Sequence, residues 1–335
     1  MTPQLTHRLT EKLSRIKAGQ YKPTDFIIAD AKDAEMGGGI NGVGFTVDDA
    51  GHQKAKTALD YRNAMAKMMA SGLVDIMLTS MASADAMHSQ NAFDGSNVTA
   101  AVRLNDATDI WGFRGARYRE NPAIPFRTAN LESARAVCAL GLYAIAFYND
   151  GPQDVATLNA YRTFREEAAQ ADMAHFLEVF NPAFDIDTGG EDLGLFINDA
   201  IVRCLAGVPK AQQPLFLKMQ YNGARPMEEL AAYDPANLIV GVLGGAAGTT
   251  RDTFELVAQV ERFGGRVALF GRKIYGAEDA VELVRLMRAI IEDGIGTVEA
   301  VKLYHDGLSK KGIVPTRTPD EDVQVTDPVL SAEAQ

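Results

Sequence analysis

Only two cysteines, Cys138 and Cys204, occur in the 335 residues, and they form no CxxC pair. That leaves no disulfide framework and no thiolate metal site. Both thiols are expected to sit as small apolar residues on helices, in a reducing compartment. There are five histidines. His7 and His305 fall in flanking helical segments, His52 and His88 in connections, and His175 at the start of a strand-like run. The convergent imidazoles of a catalytic metal centre are therefore missing, and no metal or organic cofactor is expected. Positive charge is also short. Thirty-three Lys and Arg face 44 Asp and Glu, a formal net charge of −11. Such a field repels phosphodiester backbones and argues against nucleic acid as a partner. The longest apolar run, about Ala134 to Tyr148, contains Arg135 and is too short to span a bilayer. Met1 to Ser14 carries charge and helical periodicity rather than a signal-peptide core. The expectation is a soluble, cytoplasmic protein with no membrane partner. HExxH, GxSxG, Walker and GxGxxG arrangements are absent.

What the sequence does have is alternation. Short apolar runs stand at Phe26–Ala29, Val74–Thr79, Val98–Leu104, Tyr143–Tyr148, His175–Phe180, Pro214–Met219, Leu238–Leu243 and Val267–Phe270. Helically spaced segments lie between them. Serial strand–helix units predict a parallel sheet, and eight of them predict closure into a (β/α)8 TIM barrel, with an open doubly wound sheet as the fallback. Thr249-Thr-Arg-Asp252 reads as a capping box opening the seventh helix, with Gly264-Gly265 closing it. An extra amphipathic helix with Leu5, Leu9, Leu13 and Ile16 on one side precedes the first strand. It either caps the barrel bottom or lies on the surface. One domain is expected over residues 1–314, with a polar, aperiodic and loosely held tail over 315–335. Met36 to Gly44 is Gly-rich and reads as a mobile loop over the site, not one running directly into a helix.

In such a barrel the catalytic groups project from the carboxyl ends of the strands. Polar residues there include Asp30 with Lys32 and Asp33, Tyr148, Glu178, Lys218 and Arg272. Lys218 interrupts Pro-Leu-Phe-Leu-Lys-Met, inside a strand. Burial lowers a lysine's pKa, and a partly neutral amine can attack a ketone to form an imine. The alternative is a lysine whose tip reaches solvent, or a structural ion pair. The seventh and eighth strands end in glycine turns, Gly244-Gly245 and Gly271-Arg272. Turns at those two loops, backed by helix N-termini, suit a phosphate group, with Arg272 adding a bidentate contact. Tyr148 is either a proton donor and acceptor at a substrate hydroxyl or a packing residue. Glu178 either polarises a carbinolamine or pairs with Lys218. Asp30 either holds substrate hydroxyls or orients Lys218.

Val242–Glu292, above all Gly244-Gly245 followed by Phe270-Gly-Arg-Lys-Ile-Tyr275, resembles the archaeal-type class I fructose-bisphosphate aldolases. It also resembles their relatives acting on tagatose bisphosphate, sulfofructose phosphate and deoxyribose phosphate. By this resemblance Lys218 is the Schiff-base lysine, Tyr148 the tyrosine acid, Asp30 the first-strand aspartate and Glu178 the fifth-strand glutamate. Arg103-Leu-Asn-Asp-Ala-Thr108 resembles the third-strand Leu-Asn-x-x-Thr segment. The resemblance implies a metal-independent lyase acting on a phosphorylated ketose, with dihydroxyacetone phosphate as one product, in a homo-oligomer. The chain departs from the pattern after Asp30, where Ala31-Lys32-Asp33 stands in place of the usual His-Gly or Gln-Arg, and in two segments, Gly37–Gly44 and the excursion Trp111–Pro125 with Arg114, Arg117 and Arg119. Two rival functions stand beside the lyase. One is a phosphate-binding isomerase or synthase in which Lys218 neutralises an enolate. The other is a non-catalytic sugar-phosphate sensor.

Overall fold

The computed structural model describes residues 3–47, 51–245 and 248–334. Eight strands make a closed barrel: β1 (Ile27–Lys32), β2 (Ile76–Thr79), β3 (Thr99–Arg103), β4 (Leu140–Ala146), β5 (Ala174–Phe180), β6 (Leu217–Met219), β7 (Gly241–Leu243) and β8 (Val267–Phe270). Each is hydrogen-bonded in parallel to its sequence neighbours, and β1 closes the ring on β8 through Ile27↔Val267 to Asp30↔Phe270. The helices wrap outside. In chain order they are α1 (His7–Lys17), α2 (Ala34–Val43), α3 (Ala58–Ala70), α4 (Met81–His88), α5 (Leu131–Val137), α6 (Gly151–Gln170), α7 (Leu193–Leu205), α8 (Ala224–Tyr233), α9 (Thr250–Arg262), α10 (Arg272–Tyr275), α11 (Ala280–Glu292), α12 (Thr297–Lys310), α13 (Pro319–Asp322) and α14 (Pro328–Ser331). This is the (β/α)8 architecture that the alternation predicts. Among the described residues no helix is long and apolar enough to cross a membrane.

Strand period two divides the core. Ile27, Ala29 and Ala31, Ile76 and Leu78, Leu140 to Ala146 at every second residue, Phe176, Phe216, Val267 and Leu269 fill the barrel lumen. Ile28, Met77, Val102, Leu177, Met219, Val242 and Phe270 pack against the helices. Leu9, Leu13 and Ile16 of α1 belong to the lumen cluster, so this helix is the floor of the barrel and not a surface helix. Asp75, at the foot of β2 and fully buried, anchors it. Its carboxylate meets Arg8 at 2.9 Å, Lys12 at 3.0 Å and Arg288 at 2.8 Å, and accepts from the Ile28 amide at 3.0 Å. Burial works to raise the Asp75 pKa, but Arg288, Lys12 and Arg8 outweigh it and hold it below the usual carboxylate range.

Two expectations change. The Gly-rich segment, expected as a mobile loop, is itself helical: α2 begins right after Asp33 and is broken at Gly39 with φ 57°. Its first turn is tied to the next strand end by Glu35, whose carboxylate accepts from the Ser80 and Ser83 hydroxyls. A small hairpin, Phe45–Val47 with Gln53–Ala55, follows it. The tail is not loose. Leu330 is buried, and Gln259 Nε2 of α9 donates to its carbonyl at 2.9 Å. Thr326 N donates to Asp252 at 2.7 Å, and Asp322 accepts from Thr250 N at 2.7 Å. Its polar side chains have partners on α9 that no periodicity within the tail reveals.

Candidate active site

Because Phe216 lies inside the barrel, Lys218, two residues further along β6, also points inward. By the same alternation Phe176 places Glu178 inward on β5, and the register sets Glu178 directly opposite Lys218. The two phenylalanine rings stack at 4.7 Å and form the floor beneath this pair. Lys218 Nζ lies 2.5 Å from Glu178 Oε1, with both side chains buried.

The other carboxylate oxygen of Glu178 accepts from Arg103 Nη2 at 2.6 Å. Arg103 is the inward residue at the end of β3. Its Nε donates to Asp33 Oδ2 at 2.5 Å, while its Nη1 is buried with no hydrogen-bond partner. The site is therefore a chain of alternating charge, Asp33–Arg103–Glu178–Lys218, running across the carboxyl ends of β1, β3, β5 and β6. Burial favours a neutral Asp33, but the charges of Arg103 and Lys218 overcome it and keep the pKa of that carboxyl low. Burial likewise opposes the Arg103 charge, and Glu178 with Asp33 more than restores it. Asn105, next inward beyond β3, clamps β4 by donating to the Ala144 carbonyl at 2.7 Å and accepting from its amide at 2.6 Å.

The structure brings Lys218 and Glu178 together but places Asp30 elsewhere. Asp30 shares the face of Ile28, which packs against the helix layer, and its carboxylate is ion-paired with Lys32. The Lys32 ammonium lies 5.3 Å from the Tyr275 ring centre. Burial raises the Asp30 pKa and Lys32 offsets this only in part. The inward carboxylate of this segment is Asp33, three residues on, because strand parity reverses over an odd step. Tyr148 continues the inward face of β4. Its hydroxyl accepts from the Ala123 amide at 2.9 Å, and its ring stacks on Phe184 at 5.7 Å. Sequence reasoning named Asp33 among the strand-end polar residues and Arg103 in the third-strand segment, but gave neither a role in the site. A charge ending an apolar strand, as in Ala-Ala-Val-Arg, was the available signal.

The two glycine turns leave neighbouring strands side by side, with Leu243 opposite Leu269. Gly245 has φ 66°, a left-handed conformation that favours glycine. A Cβ on Gly271 would lie 2.9 Å from the Ala31 carbonyl oxygen, a clash with backbone, and one on Gly244 would lie 3.2 Å from the Phe270 side chain, a tight contact. Arg272 follows at the rim. Ala246 and Ala247 of this loop lie outside the described residues. The first amides of α9 are already used. Thr249 N donates to Asp252 at 2.9 Å and Thr250 N to Asp322 at 2.7 Å, so these two are not open to an anion as the sequence reading supposes.

Fold and site together define a (β/α)8 barrel with a buried chain of ion-paired side chains at the carboxyl ends of its strands. The fold is that of the archaeal class I fructose-1,6-bisphosphate aldolases. A crystal structure of an archaeal fructose 1,6-bisphosphate aldolase superposes with a TM-score of 0.61 at 16% identity, covering 86% of this chain and 100% of that one. The fructose-bisphosphate aldolase of Slackia heliotrinireducens matches with a TM-score of 0.62 at 14% identity, over 92% and 94% of the two chains. Cgl0159 from Corynebacterium glutamicum matches at 0.52 and 18%, over 88% and 100%. No protein-family model matches the chain, and no curated protein matches it in sequence.

Proposed function

We propose that this chain is a class I aldolase that cleaves or forms a C–C bond of a phosphorylated ketose through an imine on Lys218. The observation that carries the reading is the inward Lys218 at 2.5 Å from Glu178 inside the barrel. Glu178 takes a proton from the Lys218 ammonium, and the free amine adds to the ketone carbon. The carbinolamine hydroxyl leaves as water with the proton that Glu178 returns. The resulting iminium is the electron sink. A base, Tyr148 or Glu178, removes the substrate hydroxyl proton, the C–C bond breaks, and its electron pair forms an enamine on Lys218. The unpartnered Arg103 Nη1 is positioned as a donor to an oxygen at the reacting carbons. The substrate phosphate rests on Gly244, Gly245, Gly271 and Arg272, so dihydroxyacetone phosphate is the expected half-product. No metal or organic cofactor enters the scheme.

Borohydride reduction in the presence of a panel of ketose phosphates, followed by peptide mass spectrometry, tests this. A reduced adduct on Lys218, absent in Lys218→Met, is expected. No adduct from any ketose phosphate sinks the reading. The Lys218–Glu178 pair also suits a lysine that stays protonated and neutralises an enolate, as in an isomerase or synthase. That reading gains if sugar phosphates turn over without a trappable imine.

A further inference from the structure

The amino-terminal face of the barrel, opposite the candidate active site, holds a cavity of about 200 Å³. It lies beside the first residues of β5, between the end of α1, the second half of α6 and the helical turn Lys210–Gln212. His175 lines it, and Glu178 of the candidate active site stands further along the same strand, about 10 Å away at the usual rise of a strand. Lys17, Arg165 and Lys210 line the cavity together with Gln212 and Asn237, and none of its lining residues is an aspartate or a glutamate. Arg165 is held from two sides. Its guanidinium carbon lies 5.1 Å from the Tyr161 ring centre, and its Nη1 donates to Gln212 Oε1 at 2.9 Å. Its Nε is buried with no hydrogen-bond partner.

Among the described residues Lys17, Arg165 and Lys210 have no carboxylate partner, although Arg162, one turn earlier on α6, is paired with Glu166 at 2.9 Å. Partial burial, and after it the charge of Lys210, lowers the Lys17 pKa, as befits two ammonium groups that line one space. On a protein of net charge −11, three cations around one cavity without a carboxylate leave a charge that only a ligand neutralises. We infer that this cavity is an anion site on the amino-terminal face, in which Lys17, Lys210 and the free Nε–H of Arg165 hold a compact dianion, a free tetrahedral phosphate. Its volume is below the roughly 300 Å³ at which pockets for larger organic ligands begin, which suits an ion and not a nucleotide. The site is separate from the glycine turns after β7 and β8, which lie at the other ends of the strands, and it does not depend on the imine at Lys218.

The test is the dissociation constant for inorganic phosphate, measured by calorimetry on Arg272→Ala, so that the carboxyl-end turns contribute least. Into that background go Lys17→Met, Lys210→Met, both together, and Lys302→Met as an exposed control on α12. Lys210 is exposed and Lys17 half-buried, so the urea midpoints of these variants should match that of the parent. Loss of one charge-assisted contact weakens binding about 10- to 100-fold. Each single variant should show this, the double variant should bind no measurable phosphate, and Lys302→Met should match the parent. Unchanged phosphate affinity in the double variant overturns the inference, as does failure of the Arg272→Ala chain to bind phosphate. Phosphate binding that depends on Lys17 and Lys210, with no borohydride adduct on Lys218, leaves the anion site standing and removes the aldolase reading. An adduct on Lys218, with phosphate affinity unchanged in the double variant, does the reverse.

Discussion

Glu178 serves two cations at once, Lys218 through one oxygen and Arg103 through the other. Glu178→Gln leaves both buried charges short of their anion. It should cost about 3–5 kcal/mol of stability, read by urea denaturation, and about 10²- to 10⁴-fold in turnover. Turnover at the original level would remove Glu178 from the chemistry. Asp33 and Asp30 make a paired test. Asp33→Asn takes an anion from Arg103 inside the barrel, whereas Asp30→Asn acts behind the wall on Lys32. Turnover is expected to fall in the first and to persist in the second, and equal losses would contradict the inward–outward division. Lys218 was legible in the sequence because a charge interrupts an apolar strand. The choice between Asp30 and Asp33 was not, since both stand at one strand end and only the observed strand parity says which faces the lumen.

At the level of elements, the strands were read with boundaries shifted by a few residues, because apolar composition marks a buried parallel strand but not where its ladder begins. The pairing of α1 with the lumen was left open by its amphipathic spacing, which fits a floor and a surface helix equally. Asp75 decides it. Asp75→Asn leaves Arg8, Lys12 and Arg288 without their shared anion and should cost about 3–5 kcal/mol, while Leu13→Ala should cost about 2–5 kcal/mol. Denaturant midpoints unchanged in both would mean that α1 does not close the barrel. The tail is the opposite case. Asp322, Gln324, Thr326 and Leu330 each meet α9, so Leu330→Ala should destabilise the protein by about 2–5 kcal/mol. An unchanged midpoint would show the tail to be loosely held after all.

Across the whole molecule, buried ionisable groups set the response to acid. His175 lies against Tyr161, whose hydroxyl is 2.9 Å from Nε2, and burial lowers its pKa to about 3. The unfolded chain binds that proton near pH 6.5, so between about 6.5 and 3 the unfolded state holds more protons. Stability therefore falls as pH drops through that window, by about 1.36 kcal/mol per pH unit for this group. Asp33 and Asp75, held low by their cations, add a loss of the same sign at lower pH. Urea unfolding from neutral pH downward should show a shallower decline in His175→Asn, and parallel curves would contradict the assignment. The sequence by itself determined the barrel, through eight apolar runs spaced by helices, and singled out the lysine, because local pattern and burial are written along the chain. Only the tertiary structure decided which carboxylate joins Arg103 and what α1 and the tail rest on. Each of these is a contact between residues far apart in sequence, created when the ring of strands closes.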